Sequence, residues 1–190
     1  SVVSSGGMAE HGWALWVDSG SECMFFDTGQ SHLLIDNSRI LGIDIDAVDA
    51  VVLSHGHYDH TGGLADILFQ AEGDVRVCLH PDALAEKYGC SGNKAREIGM
   101  TERSRNALSG PHCHLVTSRE SIEPIVGVRT TGEIPRIHSE EETSGSFWLD
   151  SDCREKDFFL DDQAVFIPTK KGTIVLLGCA HAGVINTLDH

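Results

Sequence analysis

Four side chains able to bind metal fall within six residues of this chain: His55, His57, Asp59 and His60, in the stretch AVVLSHGHYDHTGGL that runs from Ala50 to Leu64. Imidazole and carboxylate together suit zinc, manganese or iron, whereas magnesium and calcium favour shells made only of oxygen. A lone histidine is ordinarily a satisfied core or surface residue, and this density does not fit that pattern. In a loop leaving a strand, residues i, i+2, i+4 and i+5 can converge on one point, whereas i and i+2 of a regular helix point apart. A catalytic ion takes about four ligands and keeps one position open, so a pair of ions needs more than this cluster supplies. A second source lies in TIVLLGCAHAGVINTL, where another apolar run ends in glycine and delivers Cys179 and His181. The repeated arrangement predicts a metal site at the tips of sheet strands, the edge where α/β sheets bind their ligands.

The elements that must hold those tips are legible as hydrophobic patterns. GWALWVDSG and ECMFFDTG read as two strands of a hairpin. SHLLIDNSRIL has helical spacing, with Ser31 as its N-cap. DAVVLS is a short, all-apolar, β-branched run, the mark of a strand buried on both faces. A helix over TGGLADILFQAE, a strand over DVRVCLH and a helix over PDALAEKYG follow, the last with Pro81 in its first turn. QAVFIPTKKGTIVLLGC reads as a second hairpin turning at Lys-Lys-Gly. Alternating strands and helices argue an α/β layered fold. Residues 1–190 are read as one domain, with 89–112 and 139–157 as irregular insertions or lids.

Composition narrows the function classes. At 190 residues and 41% hydrophobic the chain can bury one sizeable core. Its formal charge of −15, from 14 basic and 29 acidic residues, disfavours nucleic acid and anionic membranes as partners. No apolar run approaches the roughly 18 residues that span a bilayer. The six cysteines show no Cys-x-x-Cys spacing, and several lie in apolar runs, so they read as small buried thiols of a cytoplasmic protein. The expected partner is a small-molecule substrate, phosphorylated in one version; the oligomeric state is left open.

At SHGHYDHTGGL the sequence carries the HxHxDH signature and resembles the metallo-β-lactamase superfamily. AEHGWAL, FDTGQS, TGEIPR and DDQAVFIPTKKGTIVLLGCAHAGVINTL narrow the resemblance to its dihydropterin-synthase-like branch, many of whose members are known only as metal-dependent hydrolases. The resemblance implies a four-layer αββα sandwich with two divalent ions between the sheets, zinc first, with manganese or iron as alternatives. It implies that His55 and His57 hold the first ion with His181, and that Asp59 and His60 hold the second. Asp59 would also orient the attacking water, which makes it the expected catalytic residue. Cys179 stands where many relatives carry a bridging aspartate, so it is a ligand or it merely packs. The branch also implies a strand before Ser1 and a histidine-tipped strand after His190, so the chain reads as truncated at both ends. The alternatives are a lactone, thioester or phosphodiester hydrolase of another branch, or a non-catalytic metal-binding protein on the same scaffold.

Further candidates carry two readings each. His80, ending a strand, is a substrate contact or a residue that starts a helix. Glu133 and Arg136, in TGEIPR, are a substrate clamp or an ion pair holding a turn. His11, before the first strand, resembles a family position and is otherwise a polar surface residue. Lys87, Lys94, Arg96, Arg103 and Arg105 form an anion-binding lid or a solvated face. His112 and His114 are explained by alternation on a strand, and Asp27 is expected to be a hydrogen-bonding residue beside the site.

Overall fold

The computed structural model describes residues 6–92, 94–141 and 145–190. Its first half builds a five-stranded sheet from β1 (Leu15–Asp18), β2 (Cys23–Phe26), β3 (Ala50–Val52), β4 (Val75–Leu79) and β7 (Cys113–Thr117), in that order. The β1–β2 pair is antiparallel, and the remaining neighbours run parallel. Register explains why β3 reads as unbroken apolar sequence. Phe25 lies beside Val51 and Val51 beside Val77, in one rank, while Phe26, Val52 and Cys78 form the next, facing the other way.

The first rank packs against the helical layer. Ile35 of α1 (Leu33–Leu41), Leu64 and Ile67 of α3 (Leu64–Gln70) and Leu108, just after α4 (Glu102–Ala107), share its core cluster. The second rank faces Ile125, Val128 and Val165. Val165 opens β10 (Val165–Thr169), which pairs with β11 (Gly172–Leu176) and β8 (Arg129–Thr130) in a second, three-stranded sheet. Each of these fully buried apolar side chains contributes about 1.5–3 kcal/mol of transfer free energy. Helices, sheet and sheet are thus stacked in layers, and the mixed α/β sandwich expected from the sequence is what forms. The last element, α5 (Val184–Asp189), rests on the turn Ser139–Glu141. No described helix is long and apolar enough to cross a membrane.

Several local expectations are corrected. The PDALAEKYG segment is only a 3-10 turn over Pro81–Leu84, because the chain must extend into β5 (Tyr88–Ser91) and bury Lys87 on the way. The N-cap of α1 is His32; Ser31 instead takes the Leu33 amide on its hydroxyl (3.2 Å), which it donates to Glu10 (2.6 Å). Segment 89–112 is not irregular. It contains most of a hairpin of β5 and β6 (Lys94–Glu97), then α4, and β9 (Phe147–Trp148) from the second segment joins β5 in a third small sheet. Positions 93 and 142–144 of these two segments lie outside the described residues. The cysteines were also misread in part. Cys90 and Cys153 form a disulfide across a sequence separation of 63, and Cys179 is exposed, whereas Cys78 is buried as expected.

Candidate metal centre

The apolar strand β3 ends at Val52, and the loop that follows carries His55 and His57 into a buried space at the sheet edge. The next turn, α2 (Tyr58–Thr61), starts earlier than the sequence pattern indicated and holds Asp59 and His60. From the other sheet, the loop after β11 brings Cys179 and His181. The chain positions 55, 57 and 181 converge so that one ring nitrogen of each lies within 4.8 Å of the others. His55, His60 and Cys179 form a second grouping at the same spacing. The two groupings share His55, whose ring centroid is 4.6 Å from that of His57 and 4.3 Å from that of His60. Asp59 stands beside the second, its Oδ2 3.7 Å from His60 Nε2 and 3.1 Å from His11 Nε2.

One buried carboxylate orients much of this. Asp27, in the left-handed region with φ 60°, accepts the Ser54 amide (2.6 Å) on Oδ1. Its Oδ2 accepts the Ser54 hydroxyl (2.7 Å) and faces His60 Nδ1 (2.7 Å). Ser54 Oγ in turn meets His55 Nδ1 at 2.9 Å. Both histidines are thereby held by Nδ1, which points Nε2 at the space between the loops. Gly178 keeps the second loop close, since a Cβ there would run into the Ser54 side chain. Asp27 was expected beside the site, and it is the hub of it.

Lys87 is the residue that sequence reasoning missed. It was grouped with a solvated or anion-binding basic set, yet it is 1% exposed and ion-paired with Asp157 (2.7 Å) and Asp161 (3.0 Å). Asp161 Oδ2 also accepts the amide of Gly56, between the two loop histidines (2.8 Å). The trio therefore fixes the backbone of the HGH loop from below. Phe147 and Phe159 close the site on the same side. Phe159 stacks on the His181 ring at 4.0 Å, and Phe147 lies 5.6 Å from His57.

Electrostatics separate the histidines. Burial pushes His55 well below the usual imidazole range and lowers His57 and His181 to about 4. Burial also opposes charge on His60, but hydrogen bonds to Asp27 and Cys179 outweigh it and raise that ring to about 10. Neutral imidazoles are what a metal ligand requires, the form that burial favours for His55, His57 and His181; His60 would release its Nε2 proton on taking up an ion. Nε2 of His55 and of His57 is buried and lacks a hydrogen-bond partner among the described residues. Such orphaned acceptors are rare in protein interiors. A divalent cation is the partner that this donor set fits.

The remaining candidates fall outside this convergence. His80 is fully buried, its Nδ1 accepting from the Asp82 amide (3.1 Å). Glu133 and Arg136 do not pair with each other, contrary to the expected ion pair. Glu133 pairs with Arg119 (3.1 Å), while Arg136 donates to the carbonyls of His181 (2.9 Å) and Phe158 (2.5 Å). Arg136 thus holds the loop that carries His181. His11 does reach the site, through Asp59.

Residues 8–152 match the family model described as Metallo-beta-lactamase superfamily. Over 187 residues, covering 94% of this chain, the sequence is 26% identical to the 7,8-dihydropterin-6-methyl-4-(beta-D-ribofuranosyl)-aminobenzene-5'-phosphate synthase of Methanocaldococcus jannaschii. It is 30% identical over 182 residues, 96% of the chain, to an uncharacterized protein of the same organism. The chain spans 64% of the first relative's length and 67% of the second's. Among solved structures, it is similar to a metal-dependent hydrolase of the beta-lactamase superfamily. The TM-score is 0.77 at 33% identity, over 97% of this chain and 65% of that one.

Proposed function

The chain belongs to the metallo-β-lactamase superfamily, and from that premise we propose that it is a metal-dependent hydrolase working at a dinuclear centre. The observation that carries this reading is the pair of buried Nε2 atoms of His55 and His57, without a hydrogen-bond partner among the described residues and set within reach of His181. In this reading His55, His57 and His181 hold one divalent ion, and Asp59, His60 and Cys179 hold the other. Zinc suits this nitrogen, oxygen and sulfur donor set, with manganese or iron as alternatives. Such ions supply Lewis acidity and a water that is acidic enough to serve as nucleophile near neutral pH.

The chain's own residues do the rest. Asp59, at the mouth of the site, orients the attacking water, and His11 steadies its carboxylate from 3.1 Å away. Asp27 fixes the rings of His60 and, through Ser54, of His55. Phe147 and Phe159 keep bulk water from the His57–His181 side. The substrate is a small molecule. A charge of −15 argues against nucleic acid in that place.

A second reading takes its support from the similarity to the pterin-linked synthase. There the same centre would position a phosphate or a leaving group rather than a water. The two share the ligand set and differ in the reaction.

Elemental analysis of protein purified without added metal tests the centre. Two ions per chain are expected, falling to one or none in His57→Ala. Hydrolysis of a carboxylic ester, lactone or phosphodiester by the loaded protein, lost in Asp59→Asn, favours the hydrolase. A full metal complement in His57→Ala would sink the ligand assignment.

A further inference from the structure

A cleft of about 630 Å³ leads away from Asp59, His60 and Cys179. Its far walls are Met8 and Trp13 of the N-terminal segment and Leu34, Ile40 and Leu41 of α1. Met8, Trp13, Ile40 and Leu41 are between 43% and 60% exposed. α1 therefore spends Ile35 on the core and still presents apolar side chains to this wall. Large apolar groups left open along a concave wall beside a reactive centre mark a binding surface.

The polar groups of the far wall are already engaged. Glu10 accepts the amides of Gln30 (3.0 Å) and Ser31 (3.1 Å) and the Ser31 hydroxyl (2.6 Å). Asn37 exchanges two hydrogen bonds with the Met8 backbone, each 2.9 Å. Among the described residues no lysine or arginine lines the cleft; its carboxylates are Glu10 and Asp59, and its histidines, His11 and His60, already face Asp59 (3.1 Å) and Asp27 (2.7 Å). An anionic group carried into it, away from the ligand cluster, would lose its hydration and meet no lysine or arginine among the described residues. The wall is also joined directly to the reactive end. The Trp13 amide donates to the Asp59 carbonyl (3.3 Å), and the Trp13 carbonyl accepts from Gly29 (2.8 Å).

Resting on the hydrolase reading above, we infer that the substrate's body, the part beyond its reacting group, is apolar and carries no negative charge. The reacting group sits by Asp59 and His60; the body lies between Trp13 and the Ile40–Leu41 end of α1. This sets the chain apart from a relative named for a phosphate-bearing product.

The test uses two acetate esters that differ only in the body: 4-tert-butylphenyl acetate and 4-sulfophenyl acetate, whose para groups are both tetrahedral and similar in size. With the zinc-loaded protein, kcat/KM for the neutral ester should exceed that for the sulfonate at least tenfold. Leu41→Lys, which places a cation on the far wall, should shrink that ratio at least tenfold. Leu188→Lys, on exposed α5, should leave it unchanged. Equal turnover, a preference for the sulfonate, or a ratio that Leu41→Lys does not move would overturn the inference. Calorimetric titration with 4-tert-butylphenol and 4-hydroxybenzenesulfonate reads the same preference without turnover. If neither ester reacts, ester hydrolysis fails as a reading, and these titrations alone decide. Tighter binding of the neutral phenol, narrowed by Leu41→Lys, supports the inference, and equal binding overturns it.

Discussion

Replacing Asp27 by asparagine separates the metal centre's orientation from its ligands. The substitution keeps the shape of the side chain and tolerates the left-handed backbone at this position, φ 60°. What changes is the number of acceptors. The carboxylate takes the Ser54 amide on one oxygen, and the Ser54 hydroxyl and His60 Nδ1 on the other. An amide has one oxygen. If that oxygen stays on the Ser54 amide, the new NH₂ faces His60 Nδ1, which must give up its proton to accept. The ring is then left neutral with its one proton on Nε2, the atom that faces Cys179 at 3.1 Å and that a metal would need. If the amide turns over, the Ser54 amide becomes a buried donor without an acceptor. Either outcome forfeits a charge-assisted hydrogen bond, a loss of about 1.5–3 kcal/mol, in a residue with no solvent exposure.

Loss of an orienting carboxylate behind a metal-binding histidine typically weakens affinity about 10–100-fold, or roughly 1.4–2.8 kcal/mol. Urea unfolding of the metal-free protein should show the first loss. Competition with a chromophoric chelator should show the second, larger for the ion that His60 would hold and smaller for the one that His55, reached through Ser54, would hold. Nitrogen chemical shifts of the His60 ring should report the loss of the proton from Nδ1. An Asp27→Asn protein that unfolds at the same urea concentration and binds both ions unchanged would refute the claim that Asp27 sets the ligand geometry.

Two further outcomes follow from buried charge. Lys87→Met leaves Asp157 and Asp161 facing each other without their cation, and should destabilise the protein by about 3–5 kcal/mol in urea unfolding, with Asp161→Asn in the same chain restoring part of it. Asp162 accepts the Ala182 amide on one oxygen (2.8 Å), and burial, which outweighs its backbone hydrogen bonds, lifts its carboxyl to about 7. As pH rises from its unfolded value near 3.9, the unfolded chain loses this proton first, so stability falls until about pH 7 and is then flat. Asp162→Asn should thus match the parent below pH 4 and exceed it by about 2–4 kcal/mol above pH 7, measured as unfolding free energy against pH.

What the sequence disclosed was local. The HGHYDH cluster, the buried strand before it, the Asp-Thr-Gly turn and the Gly-Cys-Ala-His loop each occupy a dozen residues or fewer, and their types and spacing carry the signal. What it concealed was distant along the chain. Lys87 pairs with carboxylates 70 and 74 residues away, and lysines are almost never fully buried unless paired, so its class argued for the surface. Phe147, which faces His57, sits in a segment whose acidity reads as loop. Glu133 and Arg136 are near in sequence and were read as partners. Each found its true partner in another element, Arg119 for one and the His181 carbonyl for the other.

The bond between Cys90 and Cys153 has a consequence for the unfolded chain. It turns the intervening segment, a separation of 63 residues, into a ring that persists when every other contact is gone. On loop-closure grounds, a ring of that size removes enough freedom from the denatured ensemble to stabilise the fold by about 4 kcal/mol. The protein thus has two denatured states, one ringed and one open. A surrounding rich in thiols draws it toward the open one. How firmly the metal-binding loops are held together is then partly a property of the compartment in which the chain is kept.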